Sequence, residues 1–315
     1  MRPSRVIRIV IAVALTALIV WKANPALVAR IVGGADWTWI GGAVLLVLVD
    51  RSLMAWRWID LLCALTPGSR PPFPVVLRIF FVSTFVGSFL PSIGGDAYRA
   101  YSLSHYDVRL SESAASVLMD RVLGVLAIAI VGGVALAIGR DLGAGPSILI
   151  PLIAAIAGCA VVAAAVFSDA VAALAQRLVL QLPWAGLRRA GVSLTDAMRR
   201  YANHHRELVR VLAASVGVQV IRVVQAYCLG RALGIDLPMA SYFLLIPIVL
   251  LVMLLPITIS GLGTSQLAFD YLFGRAGVAS PQAVALSVLF VALNVVGNLP
   301  GSLLYAAGAG RGVRA

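Results

Sequence analysis

A chain of 315 residues that is 61% hydrophobic and only 12% charged, with a mean hydropathy of +0.98, falls outside the range of water-soluble globular domains. It reads as an all-α, polytopic membrane protein forming a single membrane domain over 1–315. The net charge of +12 would point to nucleic acid in a soluble protein, but the placement of the arginines along this chain gives it another meaning.

Apolar runs long enough to cross a bilayer, for which roughly 20 residues are needed, lie at about 7–21, 38–62, 114–138, 146–167, 208–233 and 281–307. Met1-Arg-Pro-Ser-Arg-Val-Ile-Arg8 and the apolar stretch after it resemble the start of a signal peptide. The lack of a small-x-small site and the five further spans favour a retained first helix. Two more segments, near 74–103 and 239–276, are apolar but interrupted, and are expected to be broken, re-entrant hairpins. The first opens a repeat signature over 74–138 and the second opens its counterpart over 239–307. Between 169 and 207 the apolar runs shorten, Pro183 and Gly191 interrupt them, and arginines punctuate the leucine and valine positions. That pattern fits one or two amphipathic helices on the inner leaflet. It fits a solvated connector as well, and the sequence leaves both open.

With a cytoplasmic N-terminus, six spans put Arg2, Arg5 and Arg8 on the same side as the arginines of 70–109, 177–210 and 311–314. Outside the spans, only Lys22, Arg30, Arg140, Arg231 and Arg275 fall on the opposite side. This is the positive-inside asymmetry, and it places both termini in the cytoplasm. It also accounts for the charge without nucleic acid.

The two interruptions are spelled alike. Phe89-Leu-Pro-Ser-Ile-Gly-Gly-Asp96 and Leu254-Leu-Pro-Ile-Thr-Ile-Ser-Gly-Leu-Gly263 each end an apolar run in Leu-Pro and follow it with a glycine pair. A broken helix at membrane depth frees backbone groups that lipid cannot satisfy, so breaks persist only where protein or a wet cavity receives them. Three crossing helices separate the two breaks, and an odd number inverts the second, which is the inverted-repeat arrangement of many secondary transporters.

Ionisable residues inside spans are costly and mark functional candidates. Asp96 and Arg99 follow the first break, Asp120 and Arg121 sit in the third span, and Asp50, Arg51 and Arg57 lie in the second. Arg222 and Gln225 share a face of the fifth. At the first break Gly94 and Gly95 permit close approach of backbone to a ligand, and a helix restarting at Asp96 would aim free N–H groups at an anion such as phosphate. Ser260, Gly261, Gly263, Thr264 and Gln266 repeat the offer at the second break with hydroxyls in place of charge. The bland counter-reading is an ion-pair network of Asp96, Arg99, Asp120 and Arg121 that merely closes a hairpin. Asn294 and Asn298, one turn apart, read as packing glue between helices.

Cys63, Cys159 and Cys228 read as small buried hydrophobes. No metal-spaced His/Glu pair, nucleotide-binding loop or Cys/His dyad is legible, so no enzyme activity, metal or cofactor is expected. His105, His204 and His205 read as solvated side chains.

The string Phe89 to Tyr101, with Ala115-Ser-Val-Leu-Met-Asp-Arg-Val-Leu-Gly124, Arg57-Trp58 and Leu254 to Gly263, resembles the transmembrane region of lysylphosphatidylglycerol synthases and their stand-alone flippase-like relatives. The likeness runs from about residue 40 to residue 305. It departs after Gly-Leu-Gly, where the family usually continues with an Arg-Glu pair and this chain has Thr264-Ser265-Gln266. Nothing here resembles the soluble aminoacyl-transferase domain. The resemblance therefore implies the flippase half, which moves a lipid between leaflets, in a bacterial cytoplasmic (inner) membrane.

The resulting expectation is a transporter that passes a phosphate-bearing lipid head group through a cavity between two inverted hairpins. Arg57, Arg99, Arg121 and Arg222 would meet the head group, Asp96 and Asp120 would orient them, and Gly94, Gly95, Gly261 and Gly263 would offer backbone. Its partners would be membrane lipids, namely anionic or zwitterionic phospholipid or a lipid-linked phosphate, with a lipid synthase as a possible protein partner. Two rivals are a membrane-embedded lipid-modifying transferase, with Asp96 and Asp120 as acid and base, and a non-catalytic partner of a lipid synthase.

Overall fold

The computed structural model describes residues 33–66, 72–87, 92–104, 106, 108–138, 146–181, 185–254 and 264–308. All the elements in them are helical: α1 (Trp37–Leu65), α2 (Phe73–Gly87), α3 (Ser92–Leu103), α4 (Leu110–Ile138), α5 (Pro146–Phe167), α6 (Asp169–Leu180), α7 (Ala185–Arg200), a short 3-10 turn (Tyr201–Asn203), α8 (His205–Ala232), α9 (Met239–Leu254), α10 (Thr264–Arg275) and α11 (Ser280–Gly308). By length and composition α1, α4 and α11 are able to cross a membrane, and α5–α6, bent by 97°, would make a fourth if the bent pair counts as one span. The protein is thus a multi-pass helical membrane protein. The expected first span, 7–21, lies outside the described residues. Over the expected span at 208–233 lies the 28-residue α8, which carries Arg210, Gln219, Arg222 and Gln225 along its length and is not among the helices apolar enough to cross a membrane.

The helices of both interrupted segments stop and restart around the Leu-Pro and glycine positions. α2 ends at Gly87 and α3 begins at Ser92; α9 ends at Leu254 and α10 begins at Thr264. A proline disfavours the helical region for the residue before it, but Pro247 and Pro300 sit inside α9 and α11, so proline alone does not set these helix ends. The restart differs from expectation: α3 begins at Ser92, four residues before Asp96, so Asp96 lies inside the helix and not at its cap. Gly94 and Gly95 sit within that helix, and Gly95 has a packing reason to be there. A methyl group at Gly95 would come within 2.8 Å of both the Gly87 Cα and the Ser83 carbonyl oxygen, so α2 and α3 approach backbone to backbone.

Helix lengths run in two matching series. α1 to α4 have 29, 15, 12 and 29 residues, and α8 to α11 have 28, 16, 12 and 29. α5, α6 and α7 stand between them.

Packing divides the chain into two units. One comprises Met1–Arg51, Arg78–Gly95 and Ile221–Ala315. Its interior carries an aromatic chain in which Tyr227 meets Tyr242 at 5.4 Å between centroids, Tyr242 meets Phe273 at 5.4 Å, and Phe269 meets Phe273 at 5.3 Å and Phe290 at 5.7 Å. Such edge-on and offset contacts add to the burial of the rings themselves. α11 approaches α1 closely at Gly297, where a methyl would lie 2.8 Å from Val47 Cγ2.

The other unit comprises Ser52–Leu77 and Asp96–Val220. Its core joins Leu61 and Leu65 of α1, Ala115, Met119 and Leu123 of α4, Val166 of α5, Ala197 and Met198 of α7, Tyr201, and Leu208 and Val211 of α8. Tyr201 is fully buried and gives its hydroxyl proton to the Leu61 carbonyl at 2.9 Å, so its buried hydroxyl is satisfied.

Candidate functional site

The second unit holds a polar cluster inside apolar helices. Its centre is Asp120 on α4. Arg57 of α1 donates from Nε to Asp120 Oδ1 at 2.7 Å, and Arg99 of α3 places Nη1 3.7 Å from Oδ2. Arg57, Arg99 and Asp120 are each no more than 5% exposed. Nη1 of Arg57 also donates to Ser215 Oγ on α8 at 2.9 Å. The Arg99 guanidinium lies 4.9 Å from the Trp58 ring centroid, a cation–π distance, and Trp58 donates to Ser116 Oγ at 3.2 Å. One turn beyond Asp120, Gly124 borders Arg57: a methyl there would make ordinary van der Waals contact with both terminal nitrogens, at 3.8 and 3.9 Å.

The next residue on α4, Arg121, donates from Nε to Asp96 Oδ2 of α3 at 2.8 Å. The adjacent pair Asp120-Arg121 is therefore matched by Asp96 and Arg99, one helical turn apart, with each aspartate facing an arginine of the other helix. This outer pair is more open, its side chains 43% and 19% exposed. The named residues gather three guanidiniums about two carboxylates. Buried ions of this kind repay their desolvation only where geometry and further hydrogen bonds are good, and here Ser215 and Trp58 supply the additional contacts.

A third network sits at the start of α4. Glu112 accepts from Arg109 at 2.5 Å and from Arg200 of α7 at 2.7 Å. The hydrogen bond to Glu112, followed by its charge, raises the Arg109 guanidinium above its ordinary value. Asp60 accepts from both Nε and Nη2 of Arg210, at 2.8 and 2.6 Å.

The first unit has a separate cluster. Arg222 of α8 donates to Asp50 Oδ1 at 3.2 Å, Arg51 lies 3.3 Å from Asp50 Oδ2, and Arg51 donates to Asn294 Oδ1 of α11 at 2.9 Å. Asp50 and Arg51 are buried. Gln225, on the same face as Arg222, is also buried, and its Nε2 has no hydrogen-bond partner among the described residues.

The family described as the lysylphosphatidylglycerol synthase TM region matches residues 5–301. This chain belongs to that family. No curated protein matches it.

Against the sequence reading of this family member, Arg57, Asp96, Arg99, Asp120 and Arg121 come together in one unit. Arg222 pairs with Asp50 in the other. Gly94 and Gly95 fall within α3, where Gly95 serves the approach of α2. Ser260, Gly261 and Gly263 lie outside the described residues. Thr264 opens α10, and Gln266 accepts from Ser265 Oγ at 3.2 Å. Asn294 acts as the interhelical glue expected of it, with Arg51 as its partner. Sequence reasoning passed over Ser116, Gly124 and Ser215 and gave Trp58 no role of its own. Gly124 and Ser116 each stand four residues from Asp120, a spacing that could have found them, whereas Ser215 has no such signal.

Proposed function

We propose that this protein is a lipid transporter that passes a phosphate-bearing head group between the leaflets of a bacterial cytoplasmic membrane, with the acyl tails left in the bilayer. The observation that carries the reading is the burial of Arg57 and Arg99 against Asp120 inside apolar helices, with Arg121 and Asp96 forming a more open pair next to them on α3 and α4. Arginine forks match phosphate oxygens, and charged side chains inside membrane spans belong to substrate and ion paths. In this reading Arg121 receives the head group, Asp96 holds Arg121 in place until it arrives, and Asp120 keeps the two deeper guanidiniums oriented. Family membership supports a role tied to membrane lipid.

The matched helix lengths of α1–α4 and α8–α11 support a duplicated, inverted pair of broken hairpins as the moving parts. The arginine asymmetry supports termini in the cytoplasm. The uncharged Thr264-Ser265-Gln266 stretch, standing where relatives carry charge, would tune head-group preference.

The test is translocation of head-group-labelled phospholipids in proteoliposomes, read by a reductant that bleaches only the outer leaflet. Arg121→Ala is the informative variant, because the side chain is exposed enough that its loss leaves the fold intact. Transport above that of empty vesicles, reduced in Arg121→Ala, is the expected result. Wild-type rates equal to empty vesicles for all the major phospholipids would overturn the proposal.

A further inference from the structure

The connector between the two helix series carries a surface that the transport reading leaves unused. α5 has 22 residues and therefore rises about 33 Å, enough to cross a hydrocarbon core of about 30 Å without help from α6. Its helix stops at Ser168, whose backbone is extended (φ −107°, ψ 123°), and α6 leaves at 97° to it. A helix at right angles to a crossing helix runs along the bilayer surface.

One side of α6 is occupied by protein. Ala172 is buried, Gln176 donates to Asp196 of α7 at 3.0 Å, and Val179 fills the space that a side chain at Gly191 of α7 would need. Asp169 at its start pairs with Arg199. By helical period the opposite side carries Leu174 and Leu178, four residues apart, and these are 56% and 58% exposed. Arg177 is exposed next to Leu178, and Arg188 and Arg189 are exposed in the first turn of α7.

We infer that α6 is an interfacial helix whose leucine face sits among the acyl chains of the arginine-rich leaflet, while Arg177, Arg188 and Arg189 hold the phosphates of anionic phospholipid. The 97° turn decides against a freely solvated connector. It brings the leucines level with the end of a crossing helix, where lipid is present to cover them, and α7 already covers the other face. The arginines give the charge complementarity that selects anionic lipid from the neutral lipid around it. This inference does not depend on the transport proposal.

The experiment uses the full chain in phosphatidylcholine nanodiscs with and without phosphatidylglycerol, carrying bimane at Leu178→Cys, at Leu174→Cys or at Arg177→Cys. Cys159 and Cys228 are buried and Cys63 half-buried, so the signal of identically treated wild-type chain is subtracted. Bimane at the leucine positions should be quenched by doxyl-labelled lipid and spared by aqueous iodide, with the reverse at position 177. Doxyl-phosphatidylglycerol should quench the leucine positions more than doxyl-phosphatidylcholine at equal mole fraction. Combined R177Q, R188Q and R189Q should abolish that preference without changing the melting temperature, at roughly fivefold in local enrichment per arginine. Iodide quenching at 174 and 178 equal to that at 177 would overturn the interfacial placement, as would protection from both quenchers, which would mean a protein cover. Equal quenching by the two lipids in the wild-type chain would overturn the anionic selectivity.

Discussion

Asp120→Asn removes one charge and almost no volume, and the structure says what that should cost. The carboxylate lies 2.7 Å from Arg57 and 3.7 Å from Arg99, and all three side chains are within 7% of full burial. Removing one partner of a buried ion pair costs about 3–5 kcal/mol, because the remaining charge stays in an apolar site. Two guanidiniums are left here, with Ser215 and the Trp58 ring still in contact with them. The expected loss is therefore about 4 kcal/mol, in the upper half of that range if Arg99 cannot turn outward. The control is Asp96→Asn, whose pair with Arg121 is 19% and 43% exposed and should cost less than about 1 kcal/mol. Reversible unfolding by SDS in mixed micelles measures both. If Asp120→Asn falls within 1 kcal/mol of wild type, or if the two variants lose the same amount, burial does not set the energetics of this cluster and the reasoning fails.

Gly95→Ala should destabilise by about 1–3 kcal/mol, seen as a lowered melting temperature, because the added methyl meets backbone at Gly87 and Ser83 that cannot swing aside. Asn294→Leu removes the acceptor of an Arg51 hydrogen bond and should cost about 1–3 kcal/mol in the same unfolding assay. Combined with Asp120→Asn it should be additive within about 0.5 kcal/mol, since among the described residues Asn294 pairs with Arg51 and Asp120 with Arg57 and Arg99. Tyr201→Phe should cost about 1 kcal/mol through the lost hydrogen bond to the Leu61 carbonyl, with lipid translocation unchanged.

Sequence alone determined that this chain lives in a membrane, because runs of twenty apolar residues have nowhere else to go. It also found where the two apolar runs are interrupted, since a Leu-Pro followed by a glycine pair disfavours a continuous helix more than the lone Pro247 and Pro300, which sit inside α9 and α11. Which ionisable residues are functional candidates was legible for the same reason: they interrupt or border apolar runs, where their cost is visible without knowing what packs against them. The family followed from those residues in order.

Pairing was beyond its reach. Asp50 and Asp120 look equivalent as charges within spans, yet one belongs with Arg51, Arg222 and Asn294 and the other with Arg57 and Arg99. Nothing in the local pattern of α1 says that Arg51 and Arg57, six residues apart, serve different clusters; the direction each side chain takes depends on what packs around the helix. Gly95 shows the same division. Its permissive backbone is legible as a property of glycine, but only the approach of α2 reveals that the missing side chain makes room for a neighbouring helix. The 97° bend at Ser168 is likewise a tertiary result: a single extended residue, unremarked by composition, turns the chain sharply between α5 and α6.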